Sequence, residues 1–113
     1  MLVSEPIARA RVALNDPNST RWTDAALLEY AKDFQRMCFR IAPHTLLQNA
    51  GTFPAETALA TTSVAMAVGD QWREAVEKYI VGMAFSLDSN DTANEKKGQW
   101  LIQQSIQMVT GQA

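Results

Sequence analysis

Thr23-Asp24-Ala25-Ala26-Leu27-Leu28-Glu29-Tyr30-Ala31-Lys32-Asp33-Phe34-Gln35-Arg36-Met37-Cys38-Phe39-Arg40-Ile41-Ala42-Pro43 reads as one amphipathic helix. Thr23 suits the N-cap, and Asp24 sits well against the positive end of the helix dipole. Leu27, Ala31, Phe34, Cys38 and Ile41 recur at helical spacing, and Leu28 and Met37 widen that stripe. Glu29, Lys32, Asp33, Arg36 and Arg40 fall on the other side. Pro43 ends the helix, which would run for about 27 Å at roughly 1.5 Å per residue. A helix of this length with one apolar face needs other helices to cover it.

Upstream, Ser4 is placed to cap a first helix, with Glu5 and Pro6 suited to its first turn. Val3, Ile7, Ala10 and Leu14 share its apolar face, while Arg9 and Arg11 lie elsewhere. Asn15-Asp16-Pro17-Asn18-Ser19 is a turn cluster that separates the two helices. Downstream, Asp70 is placed to cap a third helix whose apolar face reads Trp72, Val76, Tyr79, Ile80, Met83 and Leu87. Asp88-Ser89-Asn90-Asp91 breaks the chain. A fourth helix from Thr92 carries Ala93, Trp100, Leu101, Gln104 and Met108 on one side. The short connection predicts that helices three and four are antiparallel neighbours. Gly98 marks either close packing or a helix ordered only on docking.

Residues 44–70 break the pattern: Thr, Ala and Gly dominate, and only Glu56 and Asp70 carry charge. Val64, Met66 and Val68 alternate with small residues, a strand period. The stretch is read as an extended arm or small β-hairpin, packed along its own helices or covered by a partner. The fold class expected is therefore mainly α: a bundle of about four helices, one domain over residues 1–113, with the arm between helices two and three. Residues 103–113 are amide-rich, with no charge after Lys97, and form a candidate docking tail.

Composition narrows the function. Of the 113 residues, 47% are hydrophobic and 19% charged, which is globular and not disordered. A formal net charge of −2 gives no electrostatic footprint for tight phosphate-backbone binding. One cysteine excludes an internal disulfide and suits a reducing compartment. The opening Met-Leu-Val-Ser-Glu-Pro predicts no secretory signal, and no apolar run approaches the roughly 20 residues of a membrane span. The sequons at Asn18 and Asn90 read as turn and cap residues.

The search for chemistry ends without a catalytic set, a cofactor motif or a metal site. His44 is the only histidine, follows Pro43, and has no cysteine or histidine cluster beside it. Cys38 falls on an apolar helix face, where a thiol acts as a small hydrophobe, and its spacing from His44 gives a catalytic dyad no support. Asp88 to Ala93 begins like a calcium loop, but Ala93 replaces the required glycine and Gln99 the required glutamate. Trp22, Trp72 and Trp100 are assigned to core packing, since a base-stacking platform would need flanking basic charge.

Two stretches together resemble a known family. The first is Ala8-Arg9-Ala10-Arg11-Val12-Ala13-Leu14-Asn15-Asp16, followed by Arg21-Trp22-Thr23-Asp24-Ala25-Ala26-Leu27-Leu28. The second is Val68-Gly69-Asp70-Gln71-Trp72, then Ala75-Val76, Tyr79-Ile80, Ala84, and Asp88 through Asn94. Their order is similar to that of the small adaptor, or head-to-tail connector, proteins of tailed bacteriophages; the 44–67 arm lies outside the likeness. The resemblance implies a helical virion subunit without an active site. It would form a homo-oligomeric ring, about a dozen copies, beneath the portal protein. It would assemble in the host cytoplasm and offer tail or nozzle proteins an attachment platform while genomic DNA passes through unbound. Interface candidates are Leu46, Leu47, Phe53, Val64, Met66 and Val68 in the arm, with Gln104 and Met108 near the end. The alternatives are a small helical regulatory module binding DNA or protein, in which the Pro17–Thr23 turn serves a helix-turn-helix, and a cysteine enzyme using Cys38.

Overall fold

A computed structural model describes residues 2–15, 22–46, 66–87 and 92–111. The fold is mainly helical: α1 is Ser4–Leu14, α2 Asp24–Ile41, α3 Arg73–Ser86 and α4 Thr92–Thr110. Single 3-10 turns at Pro43–Leu46 and Asp70–Trp72 follow α2 and precede α3.

Capping chemistry sets α2 as the sequence predicts. The Thr23 hydroxyl accepts the Ala26 N–H at 3.1 Å, and the helix stops at Ile41 ahead of Pro43. α1 begins differently: Val3 occupies the N-cap position with no side-chain bond, so Ser4 is the first helical residue and not the cap. Asn15 closes α1 in the left-handed conformation at φ 53°, and asparagine is among the few residues that accept it. Asp70 likewise is not the cap of an α-helix. It opens the 3-10 turn, and α3 starts only after Trp72.

α3 is the central helix. α2 runs antiparallel to it, as three ring contacts show: Trp22 meets Phe85, Phe34 meets Tyr79, and His44 meets Trp72, with centroids 6.3, 5.4 and 5.5 Å apart. α4 is the antiparallel partner expected from the short connection, and it packs chiefly on α3. α1 runs beside α3 in the same direction, with Arg9 level with Gln71–Glu77 and Ala13 level with Val81 and Phe85.

The core joins Val3, Ile7, Ala10 and Leu14 of α1 to Leu27, Leu28, Ala31, Phe34, Met37 and Cys38 of α2. Ala75, Val76, Ile80, Val81 and Ala84 of α3 complete its centre. Ile41 and Leu87, assigned to apolar faces by spacing, instead lie at helix ends and are 43% and 62% exposed. Among the described side-chain positions of α4 the buried ones are Gly98, Ser105 and Val109, and Trp100 is exposed. Gly98 lies against Gly82, so the close-packing reading of that glycine holds.

Among the described residues there is no strand, and the hairpin arm is not found there. The ends of the charge-poor stretch are core. Leu46, Met66 and Val68 are 2%, 4% and 1% exposed. The chain bends at residues 67 and 68, and there the buried Gln35 side chain reaches across to accept the Ala67 N–H at 2.8 Å. The Gly69 N–H donates to the Thr45 carbonyl at 3.0 Å, tying the two ends together. Apolar, uncharged residues there fill the chain's own interior.

Candidate functional site

Leu46, Met66 and Val68 offer no surface to a partner, since each is covered by its own chain. Gln104 is half-buried on α4 and accepts from Lys78 Nζ at 3.3 Å. Met108 is half-buried against the core. Leu47, Phe53 and Val64 lie outside the described residues. The five candidates among the described residues are thus not gathered into one exposed patch.

The surface that is free and apolar lies elsewhere. Val12 is 82% exposed and Trp100 59%, both along the side of the bundle, and Leu87 is exposed just past α3, at the end marked by Phe85. Leu2 and Ile41 are exposed toward the opposite end, marked by Trp72. Between α1 and α4, over α3, runs a groove of about 190 Å³ lined by Ala13, Val81, Phe85 and Leu101, with Glu77, Lys78 and Lys97 on its rim. Lys97 Nζ stands 5.1 Å from the centre of the Phe85 ring, a cation–π contact. Spacing alone does not reveal this groove, because it requires knowing that α1 and α4 flank the same side of α3.

One joint organises the α1–α2 end. Arg11 is 9% exposed, against the expectation that it lies off the core face. Its guanidinium donates to the Trp22 carbonyl at 2.8 Å and to the Asp24 carboxylate at 2.5 Å. A planar fork with several donors can satisfy both acceptors at once, which a lysine cannot do in the same geometry. Trp22 is buried edge-on against Phe85.

The reactive groups are arranged for packing. Cys38 is fully buried, and burial pushes its thiol up to about 11, with the Thr45 hydroxyl pulling it partly back. His44 is exposed and its ring meets the Trp72 edge. Tyr30 and Tyr79 are both raised, first by burial and then by the Asp33 carboxylate. Among the described residues no three His, Cys, Asp or Glu side chains are grouped to hold a metal ion. Among them, too, no helix is long and apolar enough to cross a membrane. Asp24, Glu29 and Asp33 fall within the first ten residues of α2, where a DNA-reading helix would need basic contacts to phosphate.

No protein-family model, no curated protein and no solved structure matches this chain.

Proposed function

We propose that this chain is a structural subunit of a tailed-phage neck, a head-to-tail adaptor that stands in a ring between portal and tail. The observation that carries the reading is the joint made by Arg11, Trp22, Thr23 and Asp24. These four are among the residues of the two stretches on which the likeness to the adaptor family rests; in this chain Arg11 ties Trp22 to Asp24 across the start of α2, which Thr23 caps. The second stretch of the likeness supplies Tyr79, which meets Phe34 of α2, and Ala84, which is buried in α3.

The surface fits an assembly role. Large apolar side chains are exposed at both ends of α3, Leu87 at one and Leu2 and Ile41 toward the other, and Val12 and Trp100 are exposed along the side of the bundle. A subunit that bridges two different partners needs contact area at both ends. The acidic balance would let DNA pass without being held. The work asked of such a subunit is rigid geometry, which the packed α3–α4 pair supplies.

The experiment is a protein inventory of purified particles of the virus that encodes the chain. The reading predicts about a dozen copies per particle, retained when tails are removed and lost with the portal vertex. Its presence only in host extract, never in particles, overturns the reading.

A further inference from the structure

The α1–α4 groove and the outer face of α2 lie on different sides of α3. Tyr79 faces α2, while Val81, Phe85 and Lys78 of the same helix line the groove, well round the helix from it. The Phe34–Tyr79 contact fixes the relative height of the two surfaces. At about 1.5 Å per residue, Glu29 lies about 7 Å above that level and Asp33 beside it; Arg36 lies about 3 Å and Arg40 about 9 Å below. On the groove side Lys97, over Phe85, lies about 9 Å above the level and Lys78 beside it; Glu77 lies about 3 Å and Glu74 about 7 Å below.

Read downward, α2 presents Glu29 and Asp33 and then Arg36 and Arg40, and the groove side presents Lys97 and Lys78 and then a mixed stretch in which Glu77 and Glu74 stand beside Arg9 and Arg73. The heights pair Glu29 with Lys97, Asp33 with Lys78, Arg36 with Glu77, and Arg40 with Glu74, each within about 3 Å. Other charges border the two surfaces: Lys32 on α2, Arg9 and Arg73 at the lower end of the groove side. Within the chain, Glu29 pairs with Lys32 at 2.9 Å, Asp33 with Arg36 at 3.6 Å, and Glu74 with Lys78 at 4.0 Å. All three are neighbours on one helix surface with at least one exposed partner, and such pairs exchange partners at little cost.

We infer that the groove edge of one copy receives the outer face of α2 of the next copy, side by side and at the same height. Two different surfaces in contact make a heterologous interface, which closes into a ring when no axial rise accompanies the rotation. Equal heights are the condition for that closure. Lys78 and Lys97 give register, and Ala13, Val81, Phe85 and Leu101 give the apolar floor. The inference deepens the adaptor reading and rests on it for the occupant, a second copy of this chain.

The test is a charge exchange in the full chain. Lys78→Glu with Lys97→Glu makes both surfaces acidic in their upper halves. Glu29→Lys with Asp33→Lys makes both basic. Each double variant alone is expected to stay monomeric by sedimentation while keeping wild-type helicity. An equimolar mixture, in which every contact is complementary again, is expected to recover the wild-type assembly. Failure of the mixture to assemble where the wild type does overturns the inference, as does wild-type assembly by either variant alone.

A second variant covers a wild-type contact too weak to sediment. Glu29→Cys with Lys97→Cys, mildly oxidised, is expected to give disulfide-linked species beyond the dimer; monomers or dimers only overturn the inference. Particles that carry the full copy number of either charge variant would remove this contact and leave the adaptor reading standing. Restored assembly of a protein absent from particles would do the reverse.

Discussion

Gly82 of α3 and Gly98 of α4 face each other with their backbones in contact. A Cβ on Gly98 would stand 2.5 Å from the Gly82 carbonyl oxygen and 2.5 Å from the Ser86 nitrogen. A Cβ on Gly82 would stand 2.8 Å from the Gly98 carbonyl oxygen. Glycine inside a helix ordinarily costs about 1 kcal/mol relative to alanine. Here that cost is offset by the closeness of the two helices, which lets Ile102, Ser105 and Val109 reach α3. Gly98→Ala should therefore lose about 2 kcal/mol or more, because backbone cannot move aside as a side-chain tip can. Gly82→Ala should also destabilise. Urea unfolding measures both, and a gain of stability in either would mean that the helices are further apart.

Phe34 and Tyr79 join α2 to α3. Phe34 is fully buried, and Phe34→Ala should cost about 3–5 kcal/mol. Tyr79 is half-buried, and its loss should cost less. The double variant should show a coupling of about 0.5–1.5 kcal/mol beyond the shared area. Additive losses in a thermodynamic cycle would place the two rings in separate environments.

Gln35 ties to the bend at residues 67 and 68 through one buried bond. Gln35→Leu keeps the volume close but leaves the Ala67 N–H without its acceptor, which should cost about 1–3 kcal/mol. Hydrogen exchange at the Ala67 amide should lose protection more than amides in the middle of α3. Unchanged protection would show that the amide has another acceptor.

Arg11 bonds the buried Trp22 carbonyl and the exposed Asp24 carboxylate. Asp24 is 65% exposed, so the ion pair itself contributes little and the Trp22 carbonyl carries more of the effect. Arg11→Ala should cost about 1.5–3 kcal/mol, Asp24→Ala well under that, and Arg11→Lys an intermediate amount. Equal losses for Arg11→Ala and Asp24→Ala in thermal melts would contradict this division.

Cys38 makes stability depend on alkaline pH. The folded chain holds the thiol proton more tightly than the unfolded chain, since burial raises it from 9.0 to about 11. That contribution is complete below the unfolded value and is lost as pH rises through about 11. Tyr30 and Tyr79, also raised, act in the same direction above their ordinary value of 10.0. The fall in melting temperature between pH 9 and 11 should be shallower for Cys38→Ala than for wild type. Parallel curves would mean that the thiol ionises freely in the fold.

Much of α1 and α2 is legible in the sequence because large apolar residues repeat at helical spacing and a threonine marks the start of α2. α4 is less legible. Its buried side is built, among the described positions, from Gly98, Ser105 and Val109, small residues that a search for bulky side chains passes over in favour of Trp100. Arg11 misleads for a related reason: its acceptors lie 11 and 13 residues away, beyond the reach of any local pattern. The charge-poor stretch also misleads. Lack of charge shows that Met66 and Val68 are covered, but only Gln35, on another element, shows that the cover is the chain itself. The complementary charges of α2 and the groove edge emerge only once the Phe34–Tyr79 contact sets their heights.

The most direct test of the adaptor reading is electron microscopy of the purified chain mixed with the portal protein that the reading assigns to it as partner. The account predicts a closed ring of this helical domain, about a dozen copies, seated on one face of the portal with α2 of each copy against the next. A portal ring that stays bare at saturating concentrations of the chain would contradict it.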